Sequence, residues 1–278
     1  MSTRHQSIIQ PIAIVGISAE LPSGVYAEKN FDYKEFFEFL LNKGEAYEEI
    51  PTDRFDIRSW GGHAMGQVST SHGSFLKEVD FFDHTEFGIS AKDARAMALS
   101  TRKLIELSFL ALLDSGIDYR GQNVGCFASG TAFDILSIAD PDEFEAKGSF
   151  AGTPCMIANK ISYHLDLRGP SIPVDTACSS SLTALHLAVQ SLRTGDCEAA
   201  IVGGCQLNLR LADFVQYSQG SLLAPDGKCK PFDADADGFS RGEGAVVIVL
   251  KAYDDAVRDA DHIYGVVCIP SLLALEFY

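Results

Sequence analysis

Cys178 lies in the run Val174-Asp175-Thr176-Ala177-Cys178-Ser179-Ser180-Ser181-Leu182, where an extended segment gives way to a helical one. A cysteine at such a junction has chemical consequences. The first N–H groups of a helix have no partner inside it, and the aligned peptide dipoles add partial positive charge at that end. Both effects favour a negative sulfur, and the thiolate is the nucleophilic form of cysteine. The same N–H groups can polarise a thioester carbonyl and hold the oxyanion formed on attack. Cys178 is therefore the candidate acyl-accepting nucleophile. The other cysteines, at positions 126, 155, 197, 205, 229 and 268, have no such setting and read as ordinary small apolar residues.

The elements that must position this thiol follow from hydrophobic periodicity. Short apolar runs alternate with amphipathic stretches, the pattern of an α/β protein. Strands are expected over 11–17, 124–128, 171–176, 199–203 and 245–250. Tyr33, Phe36, Phe37, Leu40 and Leu41 fall at i, i+3, i+4, i+7 and i+8, which predicts a helix with these residues on one face. A long helix is expected over 91–115, with Met97, Leu104, Leu107 and Ala111 on one stripe and Gly116 as its C-cap. Further helices are expected over 153–165 and 253–259. The nucleophile helix itself is expected over 179–193, with Leu182, Leu185, Val189 and Leu192 facing the core and Gly195 closing it. Glu45, Glu48 and Glu49 read as a solvated helix end. No repeat, linker or low-complexity tract divides the chain, so one domain is expected.

Composition narrows the function classes. The chain has 278 residues, 46% of them hydrophobic, enough for a sizeable core. Lys and Arg total 22 against 38 Asp and Glu, a formal charge of -16, which argues against a nucleic-acid partner. Seven cysteines without CxxC spacing argue against a disulfide scaffold or a thiolate zinc site and fit a reducing compartment. Residues 1–10 lack the apolar run of a secretion signal. No stretch reaches the roughly 18–20 apolar residues of a membrane span. The expectation is a cytoplasmic protein without a membrane partner.

DTACSSSL followed by Thr183-Ala184-Leu185-His186-Leu187-Ala188 resembles the active-site element of β-ketoacyl synthases, especially those of polyketide synthases. Further matches run in order along the chain. Pro11-Ile12-Ala13-Ile14-Val15-Gly16 is similar to the family's opening strand, and Phe87-Gly88-Ile89-Ser90 to its FGIS loop. Ile157-Ala158-Asn159-Lys160-Ile161-Ser162-Tyr163 is similar to its IANRISY helix, and Pro231-Phe232-Asp233 through Arg241-Gly242-Glu243-Gly244 to its PFDADADGFVRGEG element. The resemblance implies the N-terminal half of a thiolase-like fold, a layered architecture of two related α/β repeats. It implies that Cys178 receives an acyl group from an acyl carrier protein, ahead of decarboxylative Claisen condensation with a malonyl-type thioester. It implies no resident cofactor, since phosphopantetheine would arrive on the carrier protein. It also implies a homodimer, paired through the strand around 172–175, or docking onto a partner synthase.

The departures shape the expected activity. The family's two catalytic histidines, in HGTGT and GH motifs beyond the nucleophile, have no counterpart here; only His186 and His262 follow Cys178. His72-Gly73-Ser74 precedes the nucleophile and matches the family's GGFL-like loop instead. Met97-Ala98-Leu99-Ser100-Thr101-Arg102 stands where the family shows MDPQQR. The ketosynthase region is expected over 11–265. The apolar tail 266–278 is alien to the family and reads as the mark of a truncated or misread gene. Self-acylation without chain extension is the expected chemistry, and a non-catalytic half-domain scaffold or a gene fragment is the alternative. His186 reads as structural, not as a base. Asp233, Asp235, Asp237 and Gly238 imitate a calcium loop, but its twelfth position is Gly244, so a plain turn is expected. The chain has no GxSxG elbow, and Gly16 opens no dinucleotide loop.

Overall fold

The computed structural model describes residues 10–130 and 153–267. Most of the tail expected to be family-alien, 268–278, lies outside the described residues. Fifteen helices and strands matter for the argument. Strand β1 (Ile12–Glu20) leads into helix α1 (Tyr33–Leu41) and the two-residue strands β2 (Glu48–Glu49) and β3 (His72–Gly73). Helices α2 (Ala91–Ala96) and α3 (Leu99–Ser115) precede strand β4 (Val124–Gly130). Helix α4 (Met156–Leu165), strand β5 (Ser171–Pro173), helix α5 (Ser180–Thr194) and strand β6 (Ala199–Gln206) follow. Helix α6 (Leu211–Gln219), strand β7 (Gly244–Ala252), helix α7 (Tyr253–Arg258) and strand β8 (Gly265–Val267) complete the series.

Six strands form one mixed sheet in the order β5-β4-β6-β7-β1-β8. β4 pairs in parallel with both β5 and β6, whereas β7 runs antiparallel to β6 and β1. Helices α3 and α4 cover one face. Leu104, Ile105, Leu107, Ala111 and Leu112 of α3 and Ile157 and Ile161 of α4 are buried there against Val15, Ile201 and Val249. A β-bulge between Ile14 and Gly16 lies under α3, and a Cβ at Gly16 would stand 2.3 Å from the Ala111 carbonyl oxygen. Only glycine permits that approach. Helix α5 covers the other face, where Ala184, Ala188, Val189 and Leu192 pack on Phe127, Ala200, Val202 and Leu250.

Several expectations change in detail. The helix expected over 91–115 is two helices: Met97 caps α2 in an extended conformation (ψ 143°) and the chain restarts at Leu99. Met97 nonetheless joins Leu104, Leu107 and Ala111 in the core, because a break between helices still leaves its side chain on the sheet side. Gly116 and Gly195 do close their helices in left-handed conformations. The stripe of α5 is rotated from the expected one: Leu182 is 62% exposed, and Ala184 and Ala188 face the sheet in its place. Small residues there let the helix axis sit close. α1 forms with an Asp32–Glu35 capping box but buries no residue, and Phe37, Leu40 and Leu41 are exposed. Periodicity identifies an apolar face; it does not say what covers it. Glu48 and Glu49 form strand β2, paired with β3, and not a helix end. Residues 265–267 of the expected apolar end join the sheet as β8 beside β1. Among the described residues no helix is long and apolar enough to cross a membrane.

Candidate active site around Cys178

Parallel strands β5, β4 and β6 carry the site at their C-terminal ends. β5 is the outer strand, and it is pinned from α4: the Ser162 hydroxyl donates to Ser171 Oγ at 2.9 Å, and Ser171 Oγ donates to Asn159 Oδ1 at 3.0 Å. Gly169, just before it, lets the chain pass the β4 backbone, since a Cβ there would lie 2.6 Å from the Val124 carbonyl carbon. The chain then reaches Val174, whose N–H donates to the Ala128 carbonyl at 2.9 Å, and leaves the sheet. The strand is thus shorter than the expected 171–176.

Residues 175–179 form the turn, and all five are exposed. Ala177 has φ +56°, the left-handed region that residues bearing a Cβ seldom occupy. Its N–H donates to Asp175 Oδ1 at 3.1 Å. Its carbonyl accepts from the Ser180 hydroxyl at 2.6 Å and the Ser180 N–H at 3.1 Å. Ser180 Oγ in turn accepts the Thr176 N–H at 2.8 Å. The Ser179 hydroxyl donates to the Thr176 carbonyl at 2.8 Å, and Thr176 Oγ1 lies 2.9 Å from Ser179 Oγ and 3.0 Å from Thr183 Oγ1. Cys178 stands at the crest of this turn as an exposed free thiol.

The helix starts one residue later than expected. Ser179 is the N-cap and α5 begins at Ser180, so Cys178 precedes the helix. The Ser180 N–H, which the sequence offered to a thioester carbonyl, is already bonded to Ala177. Close packing fixes where α5 starts: a Cβ at Gly204 of β6 would lie 2.4 Å from Ser181 Oγ. The left-handed Ala177 and the serine hydroxyls that bracket it are the detail of this candidate site that sequence reasoning missed. The Ser-rich run was visible, but no pattern in it assigns a φ angle.

The two histidines beyond Cys178 are not beside it. His186 is half-buried on α5, roughly 9 Å along the axis from Ser180 at about 1.5 Å per residue. His262 stacks edge-on against the Tyr264 ring at 4.4 Å, next to β8. β8 and β5 are the two outer strands of the sheet, about 24 Å apart at some 4.8 Å per strand. Cys126 and Cys197, by contrast with the exposed Cys178, are buried, and burial pushes the Cys126 thiol up to about 12 and the Cys197 thiol up to about 11.

The element from 231 to 244 supplies structure. Glu243 is fully buried and accepts from Arg54 Nε and Nη2 at 2.9 and 2.8 Å, from the Leu76 N–H at 2.9 Å and from the Asn208 N–H at 2.9 Å. Arg54 also donates to the Leu76 carbonyl at 2.8 Å. Burial works against the guanidinium charge, but the Glu243 carboxylate, together with Asp53 at 2.8 Å from Nη1, outweighs it and holds Arg54 above its ordinary value. Glu243 is thus committed to Arg54, and Asp237 is paired with Lys230 at 2.6 Å, which gives the calcium-like spacing a different occupation.

The comparisons with known proteins give the family and agree with the fold. The profile of the family "Beta-ketoacyl synthase, N-terminal domain" matches residues 10–256. The chain is 59% identical over 260 residues to highly reducing polyketide synthase stpks1 of Strobilurus tenacellus, spanning 94% of this chain and 9% of that protein. It is 40% identical over 272 residues to a phenolphthiocerol/phthiocerol polyketide synthase of Mycobacterium tuberculosis, spanning 95% of this chain and 14% of that one. Among solved structures, the ketosynthase from module 6 of the bacillaene synthase of Bacillus subtilis 168 superposes with a TM-score of 0.81 at 32% identity. That match covers 92% of this chain and 43% of the other. An oxazolomycin ketosynthase domain of Streptomyces albus JA3453 gives a TM-score of 0.80 at 29% identity, covering 92% and 45%. The chain therefore spans less than half the length of the solved ketosynthases, and a smaller part of the curated relatives.

Proposed function

Because the chain belongs to the β-ketoacyl synthase family through that N-terminal domain, we propose that Cys178 takes an acyl group from the phosphopantetheine thioester of an acyl carrier protein, the loading step of polyketide assembly. One observation carries this reading: an exposed thiol raised on a left-handed turn between a parallel strand and a helix. In the step, a bond forms between Cys178 Sγ and the thioester carbonyl carbon. The donor's C–S bond breaks, and the proton given up by the Cys178 thiol leaves with the donor's thiol. The similarity to a highly reducing polyketide synthase supports polyketide assembly over fatty-acid synthesis.

Condensation needs groups that hold and decarboxylate a malonyl thioester. Neither the HGTGT nor the GH motif that supplies them in the family follows Cys178 in these 278 residues. The chain assayed by itself is therefore expected to load and not to extend. Pairing of two copies through β5 is supported by the exposed outer edge at Ile172 and Pro173. A scaffold role is the second reading, favoured by the uncovered apolar row on α1.

Incubation with octanoyl-N-acetylcysteamine followed by intact mass measurement tests the proposal. An octanoyl adduct on the wild type that is absent from Cys178→Ala supports loading. A folded wild type with no adduct favours the scaffold. β-Ketoacyl product formed after adding a malonyl donor would falsify the restriction to loading.

A further inference from the structure

The turn under Cys178 is held by a side chain to which the loading chemistry gives no part. Ala177 keeps φ +56°, and such strain persists only where the surroundings over-determine it. Ser180 supplies that constraint. It is 8% exposed, and its hydroxyl accepts from the Thr176 N–H at 2.8 Å while donating to the Ala177 carbonyl at 2.6 Å. One oxygen thus ties the Asp175–Thr176 peptide group to the Ala177–Cys178 one, bridging the two residues between them. The neighbouring serines do something else. Ser179 Oγ bonds to the Thr176 carbonyl, and Ser181 packs against Gly204.

We propose that Ser180 is the positioning residue of this site, holding Ala177 left-handed so that the Cys178 thiol stands out of the turn toward an incoming thioester. The proposal rests on Cys178 being the acyl acceptor. Ser180 makes and breaks no bond in the transfer. It fixes where the sulfur is when the new S–C bond forms.

The test uses the whole chain with octanoyl-N-acetylcysteamine as probe and intact mass as readout. Ser180→Ala is expected to lower the acylation rate constant at saturating thioester by about 10–100-fold, the scale of an ångström-level misplacement, while the half-saturating concentration stays within about twofold. Glycine takes the same φ without a Cβ penalty, so in an Ala177→Gly background the loss caused by Ser180→Ala should shrink to about threefold or less. Equal losses in both backgrounds overturn the proposal, as does a Ser180→Ala protein that loads within about twofold of the wild type. If Ser180→Ala fails to fold but the double variant folds, strain relief at Ala177 is supported. If both fail while Ala177→Gly folds, Ser180 serves something other than this turn and the idea is lost.

Failure of the loading reading looks different: the wild type carries no adduct, or Cys178→Ala still does. In that event the rate of iodoacetamide labelling of Cys178 relative to Cys229 in the same molecule reads the turn without acyl transfer. A ratio changed by Ser180→Ala and restored by Ala177→Gly supports the clamp, and an unchanged ratio overturns it.

Discussion

Replacing Glu243 by leucine removes the acceptor at the centre of a buried network and leaves the buried Arg54 guanidinium with only the exposed Asp53 carboxylate, 2.8 Å from Nη1, to balance it. Four donors lose an acceptor together, Nε and Nη2 of Arg54 and the N–H groups of Leu76 and Asn208, and of these Nη2 keeps the Leu76 carbonyl. Breaking a buried pair by removing one member costs about 3–5 kcal/mol, because the remaining charge stays desolvated. Each orphaned N–H adds about 1–3 kcal/mol if water does not reach it. These contributions overlap, since a vacated carboxylate site admits water. A loss of at least about 4 kcal/mol is expected, a large share of an ordinary domain's stability. The double variant Arg54→Leu/Glu243→Leu carries no buried charge and should be more stable than Glu243→Leu alone, although the two N–H groups remain unmet. Glu243→Gln keeps the shape but sets an NH2 group against donors, and should fall between the wild type and Glu243→Leu. Urea unfolding followed by circular dichroism measures all of these against one wild-type curve. The reasoning is refuted if Glu243→Leu lies within about 1 kcal/mol of the wild type, or if removing Arg54 as well brings no recovery.

Gly16→Ala sets a Cβ 2.3 Å from the Ala111 carbonyl oxygen and should lower stability by about 1–3 kcal/mol or more, as α3 is forced off β1; an unchanged urea midpoint would show that the helix shifts freely. Below pH 9, iodoacetamide should label the exposed Cys155, Cys178 and Cys229 in the folded protein and spare Cys126 and Cys197. The latter two hold their protons in the folded state to about 12 and about 11, whereas unfolded thiols ionise near about 8.5. The unfolded chain therefore binds fewer protons across that window, so their contribution to stability is full below about pH 8.5 and falls as pH rises toward their folded values. A urea midpoint for the wild type that drops less than that of Cys126→Ala between pH 8 and 11 would contradict this sign. Ile172→Asp places a charge on the exposed edge of β5 and, on the proposed pairing through that edge, should shift sedimentation from dimer toward monomer without changing the circular dichroism spectrum. A dimer that survives the substitution excludes pairing through that edge.

Much of the fold was legible in the chain itself. Alternating apolar runs placed β1, β4, β6 and β7, and glycines at 116 and 195 marked helix ends because a left-handed cap favours a residue without a Cβ. DTACSSSL singled out Cys178 as the candidate nucleophile because chemistry that requires one nucleophile at one junction leaves a local trace in sequence. What escaped depended on partners distant in sequence. Leu182 turned outward because Gly204 and Ser181 set how α5 meets the sheet, and Phe37, Leu40 and Leu41 stayed uncovered because no described element reaches them.

The sequence by itself determined the α/β class and the family, and singled out the candidate thiol, since each is written in local patterns of residue type and spacing. Only the tertiary structure decided that Ala177 is left-handed, that Ser180 spans it, and that Glu243 belongs to Arg54, which lies 189 residues away along the chain. A backbone angle and a long-range hydrogen bond depend on what the rest of the chain brings alongside, and residue order alone does not encode that proximity.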